Sequence, residues 1–174
     1  STASSTSNTN AGIVFSGSST SATTGGNVGN NNLIEKNEII GGYYGITLIG
    51  LAATPHLNNK IVNNIIRDFY FYGIYNTQSN GLLVSGNDIS RANRTNGGTF
   101  YGIYLTTNSF SSLVEKNKIH DTHNSATSQT GAAYGIYIIS SDAAVGQENI
   151  FANNLLYNFN SGSGAIYGIY NSSS

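Results

Sequence analysis

The sequence predicts an all-β fold, a right-handed parallel β-helix (a solenoid) of about six partial coils, from three observations: a recurring tetrapeptide, a second motif between its copies, and a composition biased toward pleated structure. The tetrapeptide reads Ala11-Gly12-Ile13-Val14, Tyr44-Gly45-Ile46-Thr47, Tyr72-Gly73-Ile74-Tyr75, Tyr101-Gly102-Ile103-Tyr104, Tyr134-Gly135-Ile136-Tyr137 and Tyr167-Gly168-Ile169-Tyr170. Between successive copies lies apolar-x-x-Asn-x-apolar, read at Ile34/Asn37/Ile39, Ile61/Asn64/Ile66, Val84/Asn87/Ile89, Val114/Asn117/Ile119 and Ile150/Asn153/Leu155. The motifs alternate in fixed order with a period of about thirty residues, which defines one structural unit.

Each unit holds short alternating apolar segments separated by polar, Gly-containing turns. It is too short and too polar to enclose a core alone, so the units must stack. With one circuit per unit, equivalent strands lie parallel, about 4.8 Å apart, and bury alternate side chains in a shared interior. The handedness of parallel crossovers makes the coil right-handed.

Composition agrees. Asn, Ser, Thr and Gly weaken helices, whereas Tyr, Ile, Val and Thr suit strands. Of 174 residues only 9% are charged, and Cys, Met and Trp are absent. Seven Lys and Arg against eight Asp and Glu leave a net charge of -1, without the basic footprint of a nucleic-acid or anionic-membrane binder, so no nucleic-acid partner is expected. Without Cys there is neither a disulfide framework nor a thiolate metal site, and redox compartment is left open. No apolar run reaches the roughly 18 residues of a membrane span, so no membrane insertion is expected. Ser1 to Asn10 lacks the basic and apolar regions of a signal peptide.

Residues 1–174 read as a single β-helix segment. The Ser, Thr and Gly stretch from Ser16 to Asn30 sits inside the first coil and is expected to be a corner loop. Neither end carries a recognisable cap, and an uncapped solenoid exposes core and strand edges, so the segment is expected to belong to a longer protein.

Asn37, Asn64, Asn87, Asn117 and Asn153 are expected to form a structural ladder. A buried amide offers two donors and an acceptor that an identical amide one strand away satisfies, and Asn tolerates the left-handed backbone of a sharp corner.

Gly-Ile-Tyr-Leu-Thr-Thr from Gly102, followed by Leu113-Val114-Glu115-Lys116-Asn117-Lys118-Ile119, resembles the parallel β-helix repeat of the pectate-lyase-like superfamily over nearly the whole chain. The Tyr-Gly-Ile-Tyr variety with Asn-rich coils is most similar to repeat regions of large secreted bacterial surface proteins. The superfamily also includes polysaccharide lyases, glycoside hydrolases, phage tailspikes and adhesins, so the resemblance speaks for fold far more than for activity.

Tyr75, Tyr104, Tyr137 and Tyr170 share a column, continued by Thr47 and Val14. Alternation turns this column away from the Ile column, so the rings form an external ladder beside a Gly strip, suited either to glycan binding or simply to cross-strand stacking that covers the sheet. Tyr44, Tyr72, Tyr101, Tyr134 and Tyr167 are then expected to face the core or its corner. Asp68, Arg91 and Asp121 share another column, flanked by Arg67, His120 and His123. Arg91, His120 and Asp121 are the residue types a lyase uses to neutralise a uronate carboxylate and remove the adjacent proton. The alternative is a surface stack of alternating charge. The segments Ala92 to Thr99, Thr122 to Ala132 and Asn158 to Gly164 vary in length at one corner, where a functional groove would most naturally lie.

Glu35 and Glu115 share a column several coils apart, too far for a glycosidase pair. His120-x-x-His123 lacks a third ligand and reads as solvated loop histidines; no metal and no cofactor are expected. The expectation is a non-enzymatic extracellular or cell-surface segment, structural or adhesive, whose partners are glycans or neighbouring domains of the same protein. The rivals are a lyase or hydrolase fragment and a carbohydrate-binding module that uses the Tyr ladder.

Overall fold

The computed structural model describes residues 5–126 and 128–173. They wind as a solenoid of three parallel sheets. The first sheet takes β1 (Ala11–Phe15), β4 (Tyr44–Ile49), β8 (Tyr72–Asn80), β11 (Phe100–Phe110), β14 (Ala133–Ile139) and β17 (Ile166–Asn171), in that spatial order, with β5 (His56–Leu57) pairing β8. The second takes β2 (Leu33–Glu35), β6 (Lys60–Val62), β9 (Leu83–Ser85), β12 (Leu113–Glu115) and β15 (Ile150–Ala152). The third takes β3 (Glu38–Ile40), β7 (Ile65–Arg67), β10 (Asp88–Ser90), β13 (Lys118–His120) and β16 (Leu155–Tyr157).

The repeats lie in register. Ile46, Ile74, Ile103 and Ile136 pair across the first sheet, Ile34, Ile61, Val84 and Val114 across the second, and Ile39, Ile66, Ile89 and Ile119 across the third. All are buried and form one core with Phe69, Phe100, Leu48 and Leu105. Each such side chain contributes roughly 1.5–3 kcal/mol by leaving water.

A sharp corner joins the second sheet to the third. Asn37 donates from its backbone N and its Nδ2 to Asn64 Oδ1, both at 3.0 Å; Asn64 does the same to Asn87, and Asn87 to Asn117. The remaining amide hydrogen of Asn64, Asn87 and Asn117 goes to the carbonyls of Ile34, Ile61 and Val84. The corner residue before each Asn takes a left-handed backbone: Lys36 (φ 56°), Asn63 (φ 55°), Gly86 (φ 69°) and Lys116 (φ 56°).

In the last coil the expected register is off by one. Asn117 donates to Asn154 Oδ1, not to Asn153, and Asn153 occupies the left-handed position at φ 56°. Pairing explains the shift. Val114 lies beside Phe151 and Ile119 beside Leu156, so Phe151 and Leu156 turn inward while Ile150 and Leu155 point to solvent. Two consecutive Asn made either reading compatible with the motif.

Candidate functional site

The tyrosines of the first sheet form its outer face. Tyr75, Tyr104, Tyr137 and Tyr170 stack in a column with ring centroids 5.2 Å apart at each step. Tyr44, Tyr72, Tyr101, Tyr134 and Tyr167 were expected at the core or its corner, but they form a second column beside the first. The columns meet edge to face, Tyr72 on Tyr75 at 4.9 Å and 82°, Tyr101 on Tyr104 at 5.1 Å and 68°.

Glycine is what brings both columns to one face. Strict alternation would place residues three apart on opposite faces of a strand. A Cβ on Gly102 would lie 2.8 Å from Ile119 Cγ2 and 2.6 Å from Gly135 O, so Gly102 faces inward, as do Phe100, Ile103 and Leu105. With Gly102 and Ile103 both inward, Tyr101 and Tyr104 flank them outward. The predicted Gly strip is therefore part of the interior.

The outer face continues past the tyrosines differently. Thr47 is fully buried and Ala22 nearly so, and Gly26 N donates to Ile49 O (3.2 Å), so the Ser16 to Asn30 loop lies over this end of the sheet. Along the ladder, ring faces are turned toward neighbouring rings; what each coil shows outward is a ring edge and a hydroxyl. Burial, with neighbouring phenols adding to it, pushes the Tyr44 and Tyr101 hydroxyls up to about 12 and raises Tyr72 as well. These hydroxyls are neutral hydrogen-bonding groups, not bases.

The polar column resolves into unrelated parts. Asp68, Arg91 and Asp121 are neighbours in the backbone ladder, Asp68 N donating to Ser90 O and Arg91 N to Asp121 O. Their side chains do not form the surface charge stack. Arg91 is fully buried: Nε donates to Thr122 O (2.8 Å), Nη1 to Tyr70 O (2.6 Å) and Nη2 to Gly98 O (2.9 Å), with Phe100 under the guanidinium at 5.3 Å. Burial, then the charge of Arg94, pushes Arg91 down to about 9, so it keeps its proton at neutral pH.

His123, read as a solvated loop histidine, is fully buried against that guanidinium. Arg91 Nη2 donates to His123 Nε2 and His123 Nδ1 donates to Asn160 O, which is the neutral tautomer. Burial first, and Arg91 second, lower its pKa.

His120 and Asp121 stand apart from Arg91. The His120 ring bridges Asp121 (2.7 Å) and Asp88 (2.9 Å) and stacks on Tyr157 at 4.7 Å. Burial raises the Asp121 pKa, but hydrogen bonds from His120 and Asn124 more than offset this and leave it lowered. Among the described residues no group of three or more His, Asp or Glu is placed to hold a metal.

The variable loops do share one corner. Ser125 Oγ donates to Ala92 O, and Thr122 Oγ1 to Asn160 O. Arg91 clamps two of them directly, at Gly98 O and Thr122 O, and reaches the third through His123, which bonds Asn160 O. The column of Arg91 is legible in the repeat, whereas the folding of the loops over it is not. Missed too was a second Asn corner, where Asn32 donates to Asn59 Oδ1 (3.0 Å) and Ser112 N to Asn149 Oδ1 (2.9 Å). Its signal, Asn two residues before an inward apolar residue, is interrupted by Leu82 in the coil of β9 and by Ser112 in the coil of β12.

These coils, with their inward Ile columns and Asn corner, define a β-solenoid protein. The chain belongs to the right-handed beta helix region family, whose sequence profile matches residues 4–174. Comparison with curated proteins and with solved structures returned no match.

Proposed function

We propose that this chain is a non-enzymatic structural or adhesive segment of an extracellular or cell-surface protein, and that its tyrosine face is the contact surface for glycans or for neighbouring domains. The observation that carries this reading is the separation of Arg91 from His120 and Asp121. Proton abstraction beside a carboxylate needs a base and a cation converging on one substrate. Here the cation is spent on three carbonyls inside a corner and the histidine lies between two carboxylates. The extracellular setting rests on the resemblance to repeat regions of secreted surface proteins.

Binding by the ladder itself is favoured by the regular row of hydroxyls. The contact it offers is hydrogen bonding from ring edges, because the stacked faces leave no room for a sugar between rings. The test has two parts. Incubation with polygalacturonate should give no unsaturated product by ultraviolet absorbance; turnover that disappears in His120→Ala would instead establish a lyase. On a glycan array, Tyr104→Ala with Tyr137→Ala should remove any binding. Retained binding would move the contact surface elsewhere.

A further inference from the structure

We propose that the tyrosine face is a site of oxidative cross-linking, in which a haem peroxidase and hydrogen peroxide couple stacked phenols of adjacent coils, foremost Tyr104 and Tyr137, into dityrosine.

The first ground is composition. The chain has no Cys, Met or Trp and has twelve Tyr. No sulfur or indole competes for an oxidising equivalent, so the phenols are its sink. The second ground is geometry. Tyr101 and Tyr134 lie 5.0 Å apart with planes 6° from parallel, and Tyr104 and Tyr137 5.2 Å apart at 7°. In-register parallel pairing places like carbons of successive rings beside each other. Tyr104 and Tyr137 are half-buried, so their outer edges are reachable, and both sit inside the ladder, with Tyr75 and Tyr170 continuing the column on either side.

The step balances. Each phenol gives one electron to the oxidised peroxidase and its hydroxyl proton to water, leaving a phenoxyl radical with spin density on the ring carbons ortho to oxygen. Two such radicals form a carbon–carbon bond between ortho positions. The two ortho hydrogens then move to the oxygens and both rings regain aromaticity. The pair has lost two hydrogen atoms in all, and hydrogen peroxide, taking up two electrons and two protons, becomes two waters.

The ladder supplies what this coupling ordinarily lacks, a second phenol within reach during the radical's lifetime. Every ring in the columns has neighbours at about 5 Å, so an oxidised site migrates by exchange until two radicals are adjacent. The rings also lie outside the close-packed core, where tilting them together displaces no inward side chain. The product joins β11 to β14 covalently in a chain that has no disulfide. Like a disulfide, the link restricts the unfolded chain and stabilises the stack.

The experiment treats the intact chain with a haem peroxidase and limiting hydrogen peroxide, then isolates the monomer by size. We expect dityrosine fluorescence in the monomer, a mass lower by two hydrogens per link, a fragment joining the Tyr104 and Tyr137 segments, and a higher urea midpoint. Tyr104→Phe keeps the ring stack and should lose that fragment. The urea-unfolded chain should give scattered pairs instead. Dityrosine confined to covalent oligomers, a monomer that carries none, or the same distribution of pairs from folded and unfolded chain would each overturn the proposal.

Discussion

At the corner between the second and third sheets, Asn64, Asn87 and Asn117 repeat one bonding pattern, each satisfying the coil before and being satisfied by the coil after. At the corner between the third and first sheets, loops of unlike length close over Arg91, which occurs once and bonds the carbonyls of Tyr70, Gly98 and Thr122. A repeated corner spreads its stabilisation over many equivalent bonds. A unique corner concentrates it on one side chain.

The largest expected effect follows from that concentration. Arg91→Ala leaves the buried Thr122 carbonyl and the part-buried Tyr70 and Gly98 carbonyls without this donor and opens a void beside Phe100, at a cost of about 3–5 kcal/mol. Arg91→Lys restores only part, since one ammonium cannot reproduce the planar fork. Urea denaturation at pH 7 measures both. A loss under about 1 kcal/mol for Arg91→Ala would make the two corners equivalent and remove the contrast.

Asn87→Ala should come next. It strips the acceptor from Asn64 N and Nδ2, the donor from Ile61 O and one of the two donors to Asn117 Oδ1, whose bond from the residue-87 backbone N remains, for about 2–3 kcal/mol. Asn37→Ala, at an exposed rung with a partner on one side only, should cost about 1 kcal/mol or less. If both substitutions cost the same in urea midpoints, the ladder has no cooperative interior.

How much of this was legible follows from the same contrast. Ile46, Ile74, Ile103 and Ile136 announce themselves because a column must repeat its chemistry in every coil, and the register of Asp68, Arg91 and Asp121 could be read for the same reason. What a side chain does at a unique corner depends on loops with no period. Arg91 and His123 looked like surface groups because nothing in the local sequence records the carbonyls that surround them. The second tyrosine column was misplaced for another reason: alternation was assumed to run through Gly102, and the inward bend there is set by Ile119 and the neighbouring glycine carbonyl.

Acid should act at the unique corner and leave the Asn ladder alone. The His123 pKa is lowered, by burial and then by Arg91; Arg94 and Asp68 also act on the guanidinium it faces. A histidine lowered on folding binds fewer protons folded than unfolded. Its contribution is complete above the unfolded value of about 6.5 and is lost as pH falls through the lower folded value. His56, also lowered by burial, adds a loss of the same sign, so the informative quantity is a difference between variants. His123→Gln keeps a neutral acceptor for Arg91 and should flatten the decline of the urea midpoint below about pH 6.5 relative to the parent chain. Parallel declines in the two proteins would place the acid sensitivity outside this corner.

The finest test separates two adjacent asparagines. Asn153 holds the left-handed position that Gly86 fills in another coil, so Asn153→Gly meets no steric conflict and should change stability by only a few tenths of a kcal/mol. Asn154 accepts from Asn117 N (3.1 Å) and Nδ2 (3.0 Å), so Asn154→Gly removes the last rung of the ladder and should cost about 1–2 kcal/mol. Reversal of that order in paired urea titrations would restore the register in which Asn153 forms the rung, and with it an inward Ile150 in place of Phe151.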